Sequence, residues 1–265
     1  MVYLFSHVNS MMKLSIITIN YNNKQGLQKT IDSVISQTFK DFEWIVIDGG
    51  STDGSRELIE KYHEYFSFWC SEPDKGIYNA MNKGIRKANG EYCLFLNSGD
   101  FLNGNSLNSV VSQLEGDVLV GRVKSAEGGG LSYLYESKTF SFSQLYSYSF
   151  PHQASFIKRN LFFNYDFYDE TYKICSDWKF FLQLLLKERI QLSFIPDVVT
   201  VIDQNGISKT NKKLFETEKS RLKDEIFPPY LVKDFEYSSS LRDLFEHPIG
   251  KRLYSILYRL FITKR

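Results

Sequence analysis

The chain has 265 residues, 43% of them hydrophobic, which suits one large α/β domain, alone or with an appendage. Its 32 basic residues nearly balance its 31 acidic residues, so charge gives no case for nucleic-acid binding. The three cysteines form no CxxC pair, which disfavours a disulfide framework or a zinc site and fits a reducing cytoplasm.

The first residues do not match a secretory signal, since they lack a basic start followed by a long apolar run. We expect residues 1–12 to be an N-terminal extension with no role in the fold. No apolar run reaches the roughly 18 residues of a membrane span. A cytoplasmic location is therefore predicted.

Strands alternate with helices three times in residues 13–105. Apolar, β-branched runs predict strands at 14–19, 43–47, 66–71 and 92–96. Apolar residues at helical spacing predict helices at 27–35, 55–65 and 77–88. This alternation predicts a mostly parallel, Rossmann-like sheet with right-handed crossovers and helices on both faces.

The pattern is less regular after residue 105. Strands are predicted at 117–124 and 154–158, a helix at 177–187 and an extended segment at 192–202. Residues 206–265 are charged and predict a helical extension with a break at Pro228-Pro229. We therefore expect one domain over 13–205, with a nucleotide-binding half (13–105) and an acceptor half (106–205), followed by a C-terminal helical region.

Polar residues end several of the predicted strands, and ligands of open parallel sheets bind beyond such ends. These residues are Thr18, Asn20 and Tyr21 at the end of the first strand, Asp48 after the second, and Asn97, Ser98 and Asp100 after the fourth. A carboxylate such as Asp100 can hold a divalent cation against a diphosphate.

Asp48 precedes two glycines, and Gly49 would let a ligand approach the backbone. Because a carboxylate accepts hydrogen bonds, Asp48 can take a ring N–H of uracil, thymine or guanine. The alternative is an ordinary turn in which Ser51, Thr52 or Asp53 caps the next helix.

Four further residues each have more than one interpretation. Asp74 and Lys75 lie where a loop would cross the nucleotide end; Lys75 can pair with phosphate, or both can belong to an ordinary helix start. His152 is a metal ligand, a diphosphate contact or a structural histidine. Asp177 is a helix cap, or a general base that deprotonates an acceptor hydroxyl.

Common alternatives lack their motifs. The sequence has no GxxxxGK[ST] loop, no GxGxxG after the first strand and no GxSxG elbow. These gaps favour a sugar-nucleotide site held by carboxylates and a metal.

Four motifs together resemble family 2 glycosyltransferases of the GT-A fold: SIITINYN (15–22), ISQTF (35–39), EWIVIDGGSTDG (43–54) and LFLNSGD (94–100). The block SEPDKGIYNAMN (71–82) is similar to the subgroup that builds bacterial surface polysaccharides. His152-Gln153 and Ser176-Asp177-Trp178 also resemble later motifs of that subgroup.

The resemblance implies an inverting hexosyl or N-acetylhexosaminyl transferase that uses a nucleotide-diphosphate sugar, expected to be a UDP-sugar, with Mn²⁺ or Mg²⁺. By motif position, the nucleoside pocket is lined by Thr18, Asn20, Tyr21 and Asp48, with Asp74 beside it. Asp100 holds the cation and Asp177 is the catalytic base. In one departure, Asn97 and Gly99 replace aspartates that the family usually carries, so we expect Asn97 to contact the donor.

The acceptor implied is a glycan or a lipid-linked saccharide. Residues 251–265 form a basic amphipathic segment that predicts contact with the cytoplasmic face of the inner membrane. The alternative is packing on the domain or on a second subunit, as in a homodimer.

Two rival functions stay open on the sequence. One is a non-catalytic, glycosyltransferase-like subunit that binds a nucleotide or a partner. The other is a sugar nucleotidyltransferase, which needs a Gly-rich loop bearing Arg or Lys after the first strand; residues 20–24, NYNNK, do not provide one.

Overall fold

A computed structural model of the protein describes residues 12–127, 140–187, 189–203 and 206–246. The strands in these ranges are β1 Leu14–Asn20, β2 Phe42–Asp48, β3 Phe68–Ser71, β4 Tyr92–Phe95, β5 Phe101–Leu102, β6 Val118–Ser125, β7 Ser155–Lys158 and β8 Leu192–Ile202. The helices are α1 Lys24–Ile35, α2 Ser55–Lys61, α3 Ile77–Lys87, α4 Ser106–Val111, α5 Phe142–Ser147, α6 Arg159–Asn164, α7 Ser176–Lys187, α8 Ile207–Thr210, α9 Lys212–Ile226 and α10 Pro229–Glu246.

The described strands form one sheet in the order β3-β2-β1-β4-β7-β6-β8-β5. Strands β3, β2, β1 and β4 run parallel to one another, as do β6 and β8. Strands β7 and β5 run antiparallel to their neighbours. The predicted mostly parallel α/β sheet is therefore confirmed, and its regular half is the one in which strands and helices alternate in sequence.

The core lies on both faces of the sheet, because successive residues of a buried strand point to opposite sides. Ile17 and Ile19 of β1 pack with α3 and α7 on one face, and Leu14 and Ile16 pack with α1, α2 and α4 on the other. Helix α3 lies directly against β1, since a Cβ at Gly84 would overlap the Ile17 side chain.

The ends of the predicted elements differ from the structure where the chain turns tightly. Helix α2 ends at Lys61 and a 3₁₀ turn follows at His63–Tyr65, which delays β3 to Phe68. The short elements β5, α4, α5 and α6 were not predicted, because a two-residue strand or fewer than two helical turns leave too little periodicity. The predicted break at Pro228-Pro229 is present: α9 ends at Ile226 and Pro229 begins α10.

Two predictions concern residues outside the described ranges, namely most of the N-terminal extension and the basic segment 251–265. Among the helices of the described ranges, we find none with the length and apolar character needed to cross a membrane.

Candidate active site

The polar strand ends meet at one edge of the sheet. Asn20 pairs with Asp48 across β1 and β2, and Asp48 pairs with Ser71 across β2 and β3. The Ser98 amide donates to the Ile19 carbonyl at 2.9 Å, which brings the turn after β4 to the same edge. Parallel pairing thus assembles residues that are far apart in sequence.

The Asp48 carboxylate is buried and takes four internal hydrogen bonds. Asn20 Nδ2 and Ser51 Oγ donate to one oxygen at 2.7 and 2.6 Å, and Ser51 N and Ser71 Oγ donate to the other at 2.9 and 2.6 Å. Burial raises the pKa of this carboxyl, but these hydrogen bonds outweigh it and hold the pKa below its ordinary value. Asp48 therefore ties three strand ends together, and a bond to a nucleobase would have to displace one of these donors.

Thr18 also differs from the expectation for a pocket-lining residue. Its side chain is fully buried, and its hydroxyl accepts a hydrogen bond from Trp44 Nε1 at 3.0 Å. The strand alternation turns Thr18 into the core, so it contributes no surface to a nucleoside pocket.

Gly49, Tyr21 and Asp74 lie together at this edge. A Cβ at Gly49 would lie 2.7 Å from Asp74 Oδ2 and 3.1 Å from Tyr21 Cδ2, so the glycine makes room for both side chains. The Tyr21 side chain is 66% exposed. Asp74 is half-buried, and its other oxygen accepts the Gly76 amide at 2.8 Å. This arrangement places a hydrogen-bond acceptor beside an open aromatic face.

The loop after β3 continues with Lys75, whose side chain is exposed. Its amide donates to Asn79 Oδ1 and its carbonyl accepts from Lys173 Nζ at 3.0 Å. In the turn after β2, the N-cap of α2 is Gly54, and Asp53 just before it accepts the amides of Lys24 and Ser55 at the starts of α1 and α2.

Asp100 ends the turn after β4 and is buried. Its Oδ1 accepts the Asp203 amide at 2.9 Å. Burial raises its pKa to about 6, against the opposing effects of the Asp203 amide, the nearby His152 and a Gln153 hydrogen bond. A positive charge near Asp100 would therefore stabilise the ionised form of this carboxyl.

Asp203 was not predicted as a site residue, although it directly follows the predicted extended segment 192–202. Its Oδ2 lies 3.1 Å from the position a Cβ of Gly99 would take. A carboxylate that directly follows β8 thus lies beside Gly99, one of the two positions at which the family resemblance leads us to expect an aspartate.

Asn97 and Ser98 lie in the same turn. Asn97 Nδ2 lies 3.3 Å from His152 Nε2, while its buried Oδ1 has no hydrogen-bond partner in the described part of the chain. The Ser98 carbonyl accepts from Asn23 Nδ2 at 2.9 Å.

His152 connects this turn to Asp177. The His152 Nδ1 atom lies 3.0 Å from Asp177 Oδ2, and Tyr78 donates to Asp177 Oδ1 at 2.8 Å. His152 therefore links the Asp177 carboxylate to Asn97, through Nδ1 on one side and Nε2 on the other. The buried Tyr78, another residue that was not predicted, stays a neutral donor, because burial and the nearby Asp177 raise its pKa well above the ordinary value.

Asp177 itself lies in the first turn of α7 and is 8% exposed. Its hydrogen bonds to Tyr78 and His152 engage both carboxylate oxygens. The structure thus brings Asn97, Asp100, His152 and Asp177 together at one end of the sheet.

A divalent cation would find few charged ligands here. Within the described ranges, no group of three or more His, Cys, Asp or Glu side chains could hold a metal ion. Asp100, His152 and the unpartnered Asn97 Oδ1 nevertheless offer oxygen and nitrogen donors. Such a set fits a cation that takes most of its ligands from a diphosphate and water.

Comparison with known proteins gives a family. The model of glycosyl transferase family 2 matches residues 15–176. An uncharacterised glycosyltransferase of Mycobacterium tuberculosis is 36% identical over 183 residues, which cover 65% of this chain and 69% of the relative. A PGL/p-HBAD biosynthesis glycosyltransferase of Mycobacterium bovis is 28% identical over 211 residues, covering 74% of this chain and 79% of the relative.

Solved structures share the fold. S. aureus TarS 1-349 in complex with UDP-GlcNAc has a TM-score of 0.66 at 20% identity, covering 95% of this chain and 76% of that one. This chain spans 43% of a longer TarS chain. The mannosyltransferase PcManGT from Pyrobaculum calidifontis, in complex with GDP-Man and Mn²⁺, has a TM-score of 0.53 at 19% identity, covering 71% of this chain and 56% of that one.

The family match covers more than half of the chain and is joined by the 36% identical relative. The expected family and α/β fold are therefore confirmed: this chain belongs to glycosyl transferase family 2, has the GT-A fold and is a glycosyltransferase.

Proposed function

We propose that the enzyme transfers a sugar from a UDP-sugar to a hydroxyl of a glycan or lipid-linked saccharide, with inversion at the anomeric carbon. One observation carries this proposal: hydrogen bonds run from Asp177 through His152 to Asn97 in the turn after β4. A buried carboxylate suited to proton transfer thus lies beside the turn at which a donor diphosphate would bind.

On the donor side, Asp74 and Tyr21 would hold the nucleobase. The half-buried Asp74 oxygen next to Gly49 suits the ring N–H of uracil, and the exposed Tyr21 ring offers a stacking surface. Asp48 and Asn20 would act indirectly, by fixing the strand ends beneath the base. Lys75 lies one residue further along the loop and would reach the phosphates. TarS, described with UDP-GlcNAc, shares this fold.

Mn²⁺ or Mg²⁺ would be held by Asp100 and His152 together with the donor diphosphate. The ion would supply positive charge that offsets the charge growing on the leaving diphosphate. Asn97 and Ser98 in the same turn would contact the donor ribose or phosphate.

Transfer needs one displacement. The acceptor oxygen attacks the anomeric carbon, the bond from that carbon to the diphosphate oxygen breaks on the opposite face, and Asp177 takes the acceptor proton. Tyr78 and His152 orient the Asp177 carboxylate, and a single displacement inverts the configuration.

The acceptor would bind beside α5, α9 and α10. A cavity of about 420 Å³ lies between α5, α9 and α10, where Tyr146, Tyr148, Lys219 and Lys223 line it. Burial and the neighbouring Lys219 lower the pKa of Lys223. Aromatic rings and crowded lysines suit a saccharide that carries an anionic group, such as the phosphate of a lipid carrier.

The test compares the wild type with Asp177→Asn and with Asp32→Asn, an exposed control position on α1. UDP release is followed with UDP-glucose, UDP-galactose and UDP-GlcNAc in the presence of lipid-linked saccharides. We expect Asp177→Asn to lower transfer by about 10² to 10⁴-fold. Its affinity for UDP, measured by calorimetry, should stay at the wild-type value; a loss of UDP binding would contradict the assignment of Asp177 as the base.

The small number of charged metal ligands in the described residues favours one alternative, a non-catalytic subunit that binds a nucleotide or a partner protein. Binding of UDP without turnover of any donor would support this alternative, and turnover would exclude it.

A further inference from the structure

A carboxylate from the C-terminal helical region lies beneath the start of α7. Glu218 of α9 is 5% exposed. Its Oε1 accepts the Lys173 amide at 2.7 Å, and its Oε2 accepts the amides of Ile174 and Cys175 at 2.8 and 3.0 Å. One side chain therefore satisfies three consecutive backbone donors in the segment that leads into α7.

The contact between the Glu218 carboxylate and these three amides is electrostatically favourable. The segment 173–175 directly precedes Ser176, where α7 begins, so its three amides lie outside the hydrogen-bond pattern of the helix and need other acceptors. The positive end of the helix dipole favours a negative charge there, and N–H groups bonded to a carboxylate make strong hydrogen bonds.

The segment is also held from its other side, next to the proposed base. The single proton of the Tyr78 hydroxyl is shared between two acceptors, the Ile174 carbonyl and Asp177 Oδ1, at 2.5 and 2.8 Å. Glu218 thus holds the amide of Ile174, Tyr78 holds the carbonyl of the same residue, and Asp177 follows three residues later on the same stretch of backbone. A shift of residues 173–175 would move the Asp177 carboxylate.

We propose that Glu218 is a positioning residue for sugar transfer: it fixes residues 173–175 so that Asp177 faces the acceptor hydroxyl. This inference rests on the proposed function, in which Asp177 is the base. It makes helix α9 part of the catalytic machinery, although its residues were predicted to belong to a separate C-terminal region.

The test uses Glu218→Gln in the full chain, with Glu216→Gln as the matched control on the exposed side of α9. The glutamine keeps the size of the side chain but turns an NH₂ group toward backbone donors, so at least one of the three bonds is lost. We expect the kcat of transfer to fall roughly tenfold to a hundredfold, as for a misplaced catalytic group. The dissociation constant for UDP and the activity of Glu216→Gln should match the wild type.

Amide hydrogen exchange at residues 173–175 gives a second readout, and it should accelerate in Glu218→Gln while exchange in β1 and β2 stays unchanged. Glu218→Asp, which keeps the charge, should recover part of the lost kcat. Wild-type kcat in Glu218→Gln, or an equal loss of transfer and UDP affinity, would overturn the positioning role. If the wild type itself transfers no sugar, the proposed function fails. This result differs from a failure of the positioning role alone, in which the wild type and Glu218→Gln transfer sugar equally well.

Discussion

Replacing Asp100 by asparagine tests the electrostatics of the turn after β4. Burial raises the pKa of this carboxyl from an ordinary value of 3.8 to about 6. Each pH unit corresponds to about 1.4 kcal/mol. The ionised carboxylate therefore destabilises the folded state by about 3 kcal/mol, as an upper estimate.

The sign follows from proton binding. Between about pH 4 and pH 6 the folded state holds the Asp100 proton while the unfolded chain has released it, so the free energy of unfolding falls as pH rises through this range. Asparagine cannot ionise, and its carbonyl still accepts the Asp203 amide. Asp100→Asn should therefore be more stable than the wild type above pH 6, and the difference should vanish near pH 4.

Urea denaturation at a series of pH values, in the presence of a chelator, measures this difference, with Asp32→Asn as an exposed control. A difference that is constant with pH, or that favours the wild type at pH 8, would refute the reasoning. When Mn²⁺ and UDP are added together, the wild type should become more stable than Asp100→Asn, because the cation stabilises the ionised carboxylate. The melting temperature should therefore rise in the wild type alone.

Two further predictions concern the donor site and the core. Asp74→Asn should weaken UDP binding by about 1.5–3 kcal/mol, the usual worth of a hydrogen bond to a charged group, and calorimetry that finds unchanged affinity would remove Asp74 from the proposed nucleobase site. Gly84→Ala should lower the free energy of unfolding by about 1–3 kcal/mol, because the new methyl group overlaps Ile17 in the contact between α3 and β1; equal stability in urea would show that the helix can shift.

Much of the donor half was predictable because parallel strands bring their carboxyl ends to one edge. The sequence places Asn20, Asp48 and Asp100 at that edge without any knowledge of loops. It does not show which of them is satisfied internally, since Asp48 gains a donor from Ser71, 23 residues away. The role of Asp74 beside Gly49 depends on the path of a loop, which no periodicity encodes.

The acceptor half was less predictable, for a related reason. Tyr78 and Asp177 are 99 residues apart in the sequence. Glu218 contacts the segment before Asp177 from α9, whose neighbours along the chain are helices and not strands. Its local sequence indicates a charged surface helix, and only tertiary packing shows that this one glutamate is buried. Buried polar groups of this kind become visible only when their backbone partners are known.

The environments of the carboxylates at this end of the sheet argue for a division of labour. Asp48 has four donors and a lowered pKa, so it gains nothing from a ligand and serves as scaffold. Asp100 is buried with a raised pKa, so a cation that arrives with the donor relieves an existing cost. Asp177 is held between a neutral tyrosine and a histidine. It follows that donor and cation should bind together, whereas the orientation of Asp177 should depend on residues 173–175 and on His152.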